Sequence, residues 1–146
     1  MKTFDLWENA PLQIEGEETP RIRYFEAEEK RGDGTVIVFA GGGYMRRSEH
    51  EADKYALFLN SLGLDSFVLD YRILPYRYPA ALIDARRAVR FVRANAEKFG
   101  IDPSKIAVMG SSAGGHLAAH VSTYRGKVEG EAYRVYLLTE LFDLIT

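Results

Sequence analysis

The chain has 146 residues, 47% of them hydrophobic, which is enough for one ordinary core and too little for two. Acidic and basic residues are interspersed and leave a formal net charge of −2, so no overall field points to nucleic acid or to an acidic membrane surface. The absence of cysteine excludes disulfides and thiolate chemistry; with no apolar leader at Met1–Glu8 and no stretch of membrane-spanning length, a cytoplasmic protein is expected.

In chain order, Arg21 to Ala27 alternates partially and predicts an outer strand, followed by a charged turn from Lys30 to Gly34. Thr35 to Ala40 is a nearly continuous apolar, β-branched run, which predicts a strand buried on both faces. It runs directly into Gly41-Gly42-Gly43-Tyr44, a loop able to present backbone N–H groups. Ser48-Glu49-His50-Glu51 fits a capping box with Ser48 as N-cap. The helix it opens should reach about Leu62, bury Ala52, Tyr55, Ala56 and Leu59, and stop at Gly63. Ser66 to Tyr71 reads as the next strand. Pro79 begins a long helix with Leu82, Ala85, Val89, Val92, Ala96 and Phe99 on its buried stripe and Gly100 as its stop. Asp102-Pro103-Ser104 turns the chain into a strand at Ile106 to Met109. This strand–helix–strand order predicts an α/β fold with a mostly parallel sheet flanked by helices.

The last strand runs into Gly110-Ser111-Ser112-Ala113-Gly114, and a helical stretch begins at Gly115-His116-Leu117. A serine hydroxyl is a weak nucleophile at neutral pH. It gains reactivity on a sharp strand-to-helix turn, where a base can reach it and backbone N–H groups face the developing oxyanion. Gly110 and Gly114 let the two backbones approach closely, and Ser112 would take the strained corner conformation. Ser112 is therefore the candidate nucleophile.

The blocks V-I-V-F-A-G-G-G-Y (36 to 44), L-D-Y-R (69 to 72), Y-P-A-A-L-I-D-A (78 to 85) and F-G-I-D-P-S-K-I-A-V-M-G-S-S-A-G-G-H-L-A-A (99 to 119) occur in this order. Together they resemble α/β-hydrolase esterases, in particular the small acetyl-esterase and acetyl-xylan-esterase-like group related to the hormone-sensitive-lipase type. The resemblance implies that residues 1–124 are the N-terminal portion of an α/β-hydrolase domain. It further implies hydrolysis of small acyl, acetyl-like esters, some of them carbohydrate-linked, through an acyl-enzyme on Ser112. The N–H groups of Gly42, Gly43 and Ala113 would form the oxyanion hole, and Tyr44 would touch the substrate, with Tyr71, Tyr76 and Tyr78 near the same side. No metal, organic cofactor, nucleic acid or membrane is implied. Ala40 stands where the group often has His or Pro, a change that leaves backbone donors intact.

The remaining triad members are harder to place. In this fold an acid and then a histidine follow the nucleophile, yet no histidine follows His120. His50 reads as a surface residue and His116 as a packed, hydrogen-bonded structural one. His116 and His120 share a helix face but lack the intervening glutamate and third ligand of a zinc site. Asp143 is the only later aspartate, beside Glu129, Glu131 and Glu140, and none sits in a block of the group. Residues 125–146 diverge and fit either a strand at Tyr133 to Leu138 or a helix. A shortened hydrolase is expected, its tail covering the vacant sheet edge or that edge pairing with a second copy. Arg86, Arg90 and Arg93 are expected on a solvated helix face, and neither glycine cluster completes a nucleotide-binding pattern. The alternative to an esterase is a noncatalytic binding or assembly module derived from one.

Overall fold

The computed structural model describes residues 1–128. Five strands form one mixed sheet: β1 (Lys2–Asp5), β2 (Arg21–Phe25), β3 (Thr35–Phe39), β4 (Asp65–Asp70) and β5 (Ile106–Gly110), in the order β1-β2-β4-β3-β5. The continuous apolar runs of β3 and β4 take the interior. Ile37, Val38, Phe39, Phe67, Val68 and Leu69 are all fully buried, as strands covered on both faces require. β3 runs parallel to β4 and β5, whereas β1 and β2 add antiparallel pairings at the other side. Alternation then sorts the core into two layers. Val38 and Val68 face Ala56 and Leu59 of α1 (Asp53–Ser61), while Phe39, Phe67 and Leu69 face α2 (Ala80–Ala94) and Leu117 of α4 (Ala113–Thr123).

The register fixes the geometry that matters most. Phe39 lies opposite Gly110, so the segment leaving β3 and the segment leaving β5 emerge side by side. This brings the glycine loop against the serine turn.

Several expectations need correction. β1 was not foreseen, because four mostly exposed residues with little apolar content carry no burial pattern. The long helix is divided at Asn95, whose side-chain amide donates to the Phe91 carbonyl at 2.8 Å, and a short α3 (Ala96–Phe99) follows. The capping box does not form: Ser48 makes no side-chain cap, a 3₁₀ turn over Glu49–Glu51 intervenes, and Glu51 accepts from the Gly41 N–H at 2.9 Å. Arg90 is buried rather than solvated. Arg86 donates to the carbonyls of Tyr124 and Gly126, and Arg93 to that of Pro103, so this side of the helix is tied to the chain around it. The expected Asp102 turn is present, with the Ser104 N–H and Oγ both donating to Asp102 Oδ1. The tail readings, including Asp143, Glu129, Glu131, Glu140 and the strand or helix at Tyr133 to Leu138, lie outside the described residues.

Candidate active site

Gly110 and Gly114 have a specific steric reason to be glycine. A Cβ on Gly110 would meet the Phe39 carbonyl oxygen at 2.6 Å, and one on Gly114 would meet the Ala40 carbonyl oxygen at 2.7 Å. Both obstacles are backbone, so they cannot swing aside. With no side chain at either position, α4 starts tight against β3 and the turn between them is sharp. Ser112 occupies that corner at φ 51° and ψ −121°, exposed at the N-terminus of α4. Few non-glycine residues adopt such a backbone, and its strain is held by the surrounding elements.

The glycine loop faces this corner and is anchored at both ends. Gly41 donates to Glu51 and accepts from the Ser48 N–H at 2.9 Å, while the Gly42 carbonyl accepts from the N–H groups of Met45 and Arg46. The N–H groups of Gly42, Gly43 and Ala113 donate to no acceptor among the described residues. Tyr44 ends the loop at φ 59°, its carbonyl accepting from the Leu74 N–H at 2.8 Å. Its hydroxyl shares a 2.8 Å hydrogen bond with His116 Nδ1, and the two rings meet edge to face.

His116 was expected to be packed; it is hydrogen-bonded but exposed, because its position on α4 turns it toward the loop rather than the core. Its ring centroid lies 5.7 Å from that of His120. Burial, then the neighbouring His116 and Arg86, lowers the His120 pKa from its ordinary value. His50 is exposed beyond the far side of the loop. Among the described residues, no group of three or more His, Cys, Asp or Glu side chains could hold a metal.

Tyr44, Tyr76, Tyr78, Leu82, His116 and His120 line a groove of about 440 Å³, bounded by the end of the glycine loop and by the α4 face that carries His116 and Leu117. Tyr71 does not join them. It is fully buried, and its hydroxyl donates to the Ala40 carbonyl. The groove rests on a pair that sequence reasoning missed. Arg72 and Asp84 are both buried, and Arg72 donates to the Asp84 carboxylate through its backbone N–H at 3.0 Å, Nε at 2.9 Å and Nη2 at 2.7 Å. Trp7 Nε1 adds a fourth bond at 3.2 Å. Burial pushes the Asp84 carboxyl up and Arg72 pulls it back, with burial the larger effect. The blocks containing L-D-Y-R and L-I-D-A carried the signal as residues, without revealing that these two side chains meet.

A parallel core with a serine at the strand-to-helix corner and a glycine loop after the neighbouring strand defines an α/β-hydrolase fold. The chain belongs to the BD-FAE family, which it matches over residues 23–139, and is of the hormone-sensitive-lipase type. It is 36% identical over 113 residues to an arylesterase of Saccharolobus solfataricus, covering 76% of this chain and 37% of that protein. With an acetylxylan esterase of Xylanibacter ruminicola it shares 35% identity over 89 residues, covering 60% of this chain and 18% of the relative. Among solved structures, an acetyl ester-xyloside bifunctional hydrolase from Caldicellulosiruptor lactoaceticus superposes with a TM-score of 0.80 at 44% identity, covering 84% of this chain and 46% of that one. The chain thus spans less than half the length of each of these relatives.

Proposed function

We propose that Ser112 is the nucleophile of a carboxylesterase site for small, acetyl-like acyl esters, carbohydrate-linked ones included. The observation that carries this reading is the corner itself: an exposed serine at φ 51°, beside N–H groups of Ala113, Gly42 and Gly43 that have no other acceptor among the described residues. Ser112 Oγ attacks the ester carbonyl carbon, and the carbonyl oxygen gathers negative charge that those N–H groups accept as hydrogen-bond donors. The C–O bond to the alcohol then breaks, the alcohol leaves with a proton, and water hydrolyses the acyl-enzyme. Tyr44 borders the groove where the substrate would lie. The activities for which the relatives are named, arylesterase and acetylxylan esterase among them, support the ester class.

Within these 146 residues no histidine follows His120, so they supply no triad base in the usual order. The 146-residue chain by itself should therefore turn over slowly, at the roughly 10³ to 10⁴ over water that oxyanion donors and binding sustain without a triad. The second reading is a noncatalytic binding or assembly module derived from a hydrolase, which keeps the groove without turnover. Hydrolysis of phenyl acetate by the chain and by Ser112→Ala, read together with phosphonate labelling, separates them. An adduct on Ser112 is expected; equal rates together with no adduct would reject the esterase reading and leave the binding module.

A further inference from the structure

His116 has a feature the proposed reaction does not use. Tyr44 reaches it from the end of the glycine loop, and its hydroxyl has no other partner among the described residues. Burial raises the Tyr44 pKa, so the phenol keeps its proton at neutral pH. Among the described residues the hydroxyl faces one partner, His116 Nδ1 at 2.8 Å. A neutral imidazole that accepts at Nδ1 carries its own hydrogen on Nε2. Nε2 makes no hydrogen bond among the described residues, and His116 lines the 440 Å³ groove.

The rest of the groove mixes aromatic rings, Tyr76, Tyr78 and His120, with aliphatic side chains and two arginines. The Tyr78 ring is 68% exposed and lies parallel to that of His120, their planes 10° apart and centroids separated by 6.0 Å. Tyr78 therefore offers an open apolar face with a polar tip, and His116 an oriented donor, on the same groove, with His116 on the helix that Ser112 begins.

From this arrangement we infer that His116 is a specificity-determining residue for the alcohol side of the ester. It donates from Nε2 to an oxygen of the leaving alcohol beyond the ester linkage, with Tyr44 as the positioning residue that fixes its tautomer. The groove then favours esters of polyhydroxylated alcohols over esters whose alcohol carries no second oxygen. This assignment rests on the proposed role of Ser112, since that residue defines which end of the groove receives the acyl group.

Binding to the full chain carrying Ser112→Ala tests it without turnover, by NMR titration with a monoacetylated methyl glucoside and with phenyl acetate. Adding His116→Leu should weaken the glucoside by about fivefold to tenfold, the loss of one hydrogen bond, and leave phenyl acetate within about twofold. His116→Gln, which restores an N–H donor, should recover most of the loss, and Tyr44→Phe should produce part of it. Equal weakening of both ligands, no weakening of either, or no recovery with glutamine would overturn the inference. Phosphonate labelling of Ser112 in the chain with an intact serine separates the two readings: absent labelling with glucoside binding still sensitive to His116 rejects the nucleophile alone, and labelling with insensitive binding rejects the His116 assignment alone.

Discussion

Ser112 is held at φ 51° and ψ −121° by a corner whose flanking glycines admit no side chain. Such a backbone costs a non-glycine residue on the order of 1–3 kcal/mol, which is strain stored where the proposed chemistry occurs. Ser112→Gly should relax it and raise unfolding stability in urea by about 1 kcal/mol. Unchanged or reduced stability would mean that the corner is not strained. The converse holds two residues along. Gly114→Ala forces a Cβ against the backbone oxygens of Phe39 and Ala40 and should cost about 1–3 kcal/mol in the same titration. A neutral result would show that α4 can slide away from β3. Both glycines and the serine were legible in the sequence, because a sharp strand-to-helix turn demands small residue types at fixed spacing. The Tyr44–His116 contact was not, since 72 positions separate the partners and only the sheet register brings them together.

At the level of elements, buried charges join segments that hydrophobic patterning alone would leave loosely connected. Arg72 at the exit of β4 and Asp84 within α2 form one such joint. Asp84→Ala leaves the guanidinium buried without its carboxylate and should cost about 3–5 kcal/mol, read by denaturant unfolding. A loss below about 1 kcal/mol would mean that water or another acceptor replaces the carboxylate. A second joint is Asp65, which accepts from Tyr24 at 2.7 Å and from the Ala27 N–H at 2.9 Å and pairs with Lys30 at 2.8 Å.

This second joint has a definite pH dependence. The hydrogen bond to Asp65, the largest effect, raises the Lys30 pKa above 10.5, and burial followed by the Asp65 hydrogen bond raises that of Tyr24 above 10.0. In both cases the folded state holds its proton more tightly than the unfolded chain. The stabilisation is complete below pH 10.0 and is lost as pH rises past these ordinary values toward the folded ones. Stability in urea should therefore fall above about pH 10, and Asp65→Asn should flatten that fall while lowering stability throughout. An alkaline slope unchanged by the substitution would contradict the assignment. The elements were readable where burial imposed a pattern, as in β3, β4 and β5. They were misread where a local rule met a tertiary competitor: Glu51 serves Gly41 instead of a helix cap, and Arg90 is buried on a side that looked solvated.

For the whole molecule, β5 pairs only with β3 among the described residues, and no described strand lies along its other edge, beside the exposed Ala107. Edges of this kind recruit further strands. The fold class and the serine corner were both legible in the sequence, because repeated strand–helix order and short glycine motifs are local. The complete site was not, because in this fold the base comes from a later segment of chain.

The central claim is that Ser112 is a nucleophile, and covalent capture tests it most directly. After treatment with an aryl phosphonate, intact mass and peptide mapping should find a single phosphonyl adduct on Ser112, absent from Ser112→Ala and diminished in Gly114→Ala. An unmodified chain, or an adduct that persists in Ser112→Ala, would contradict the account.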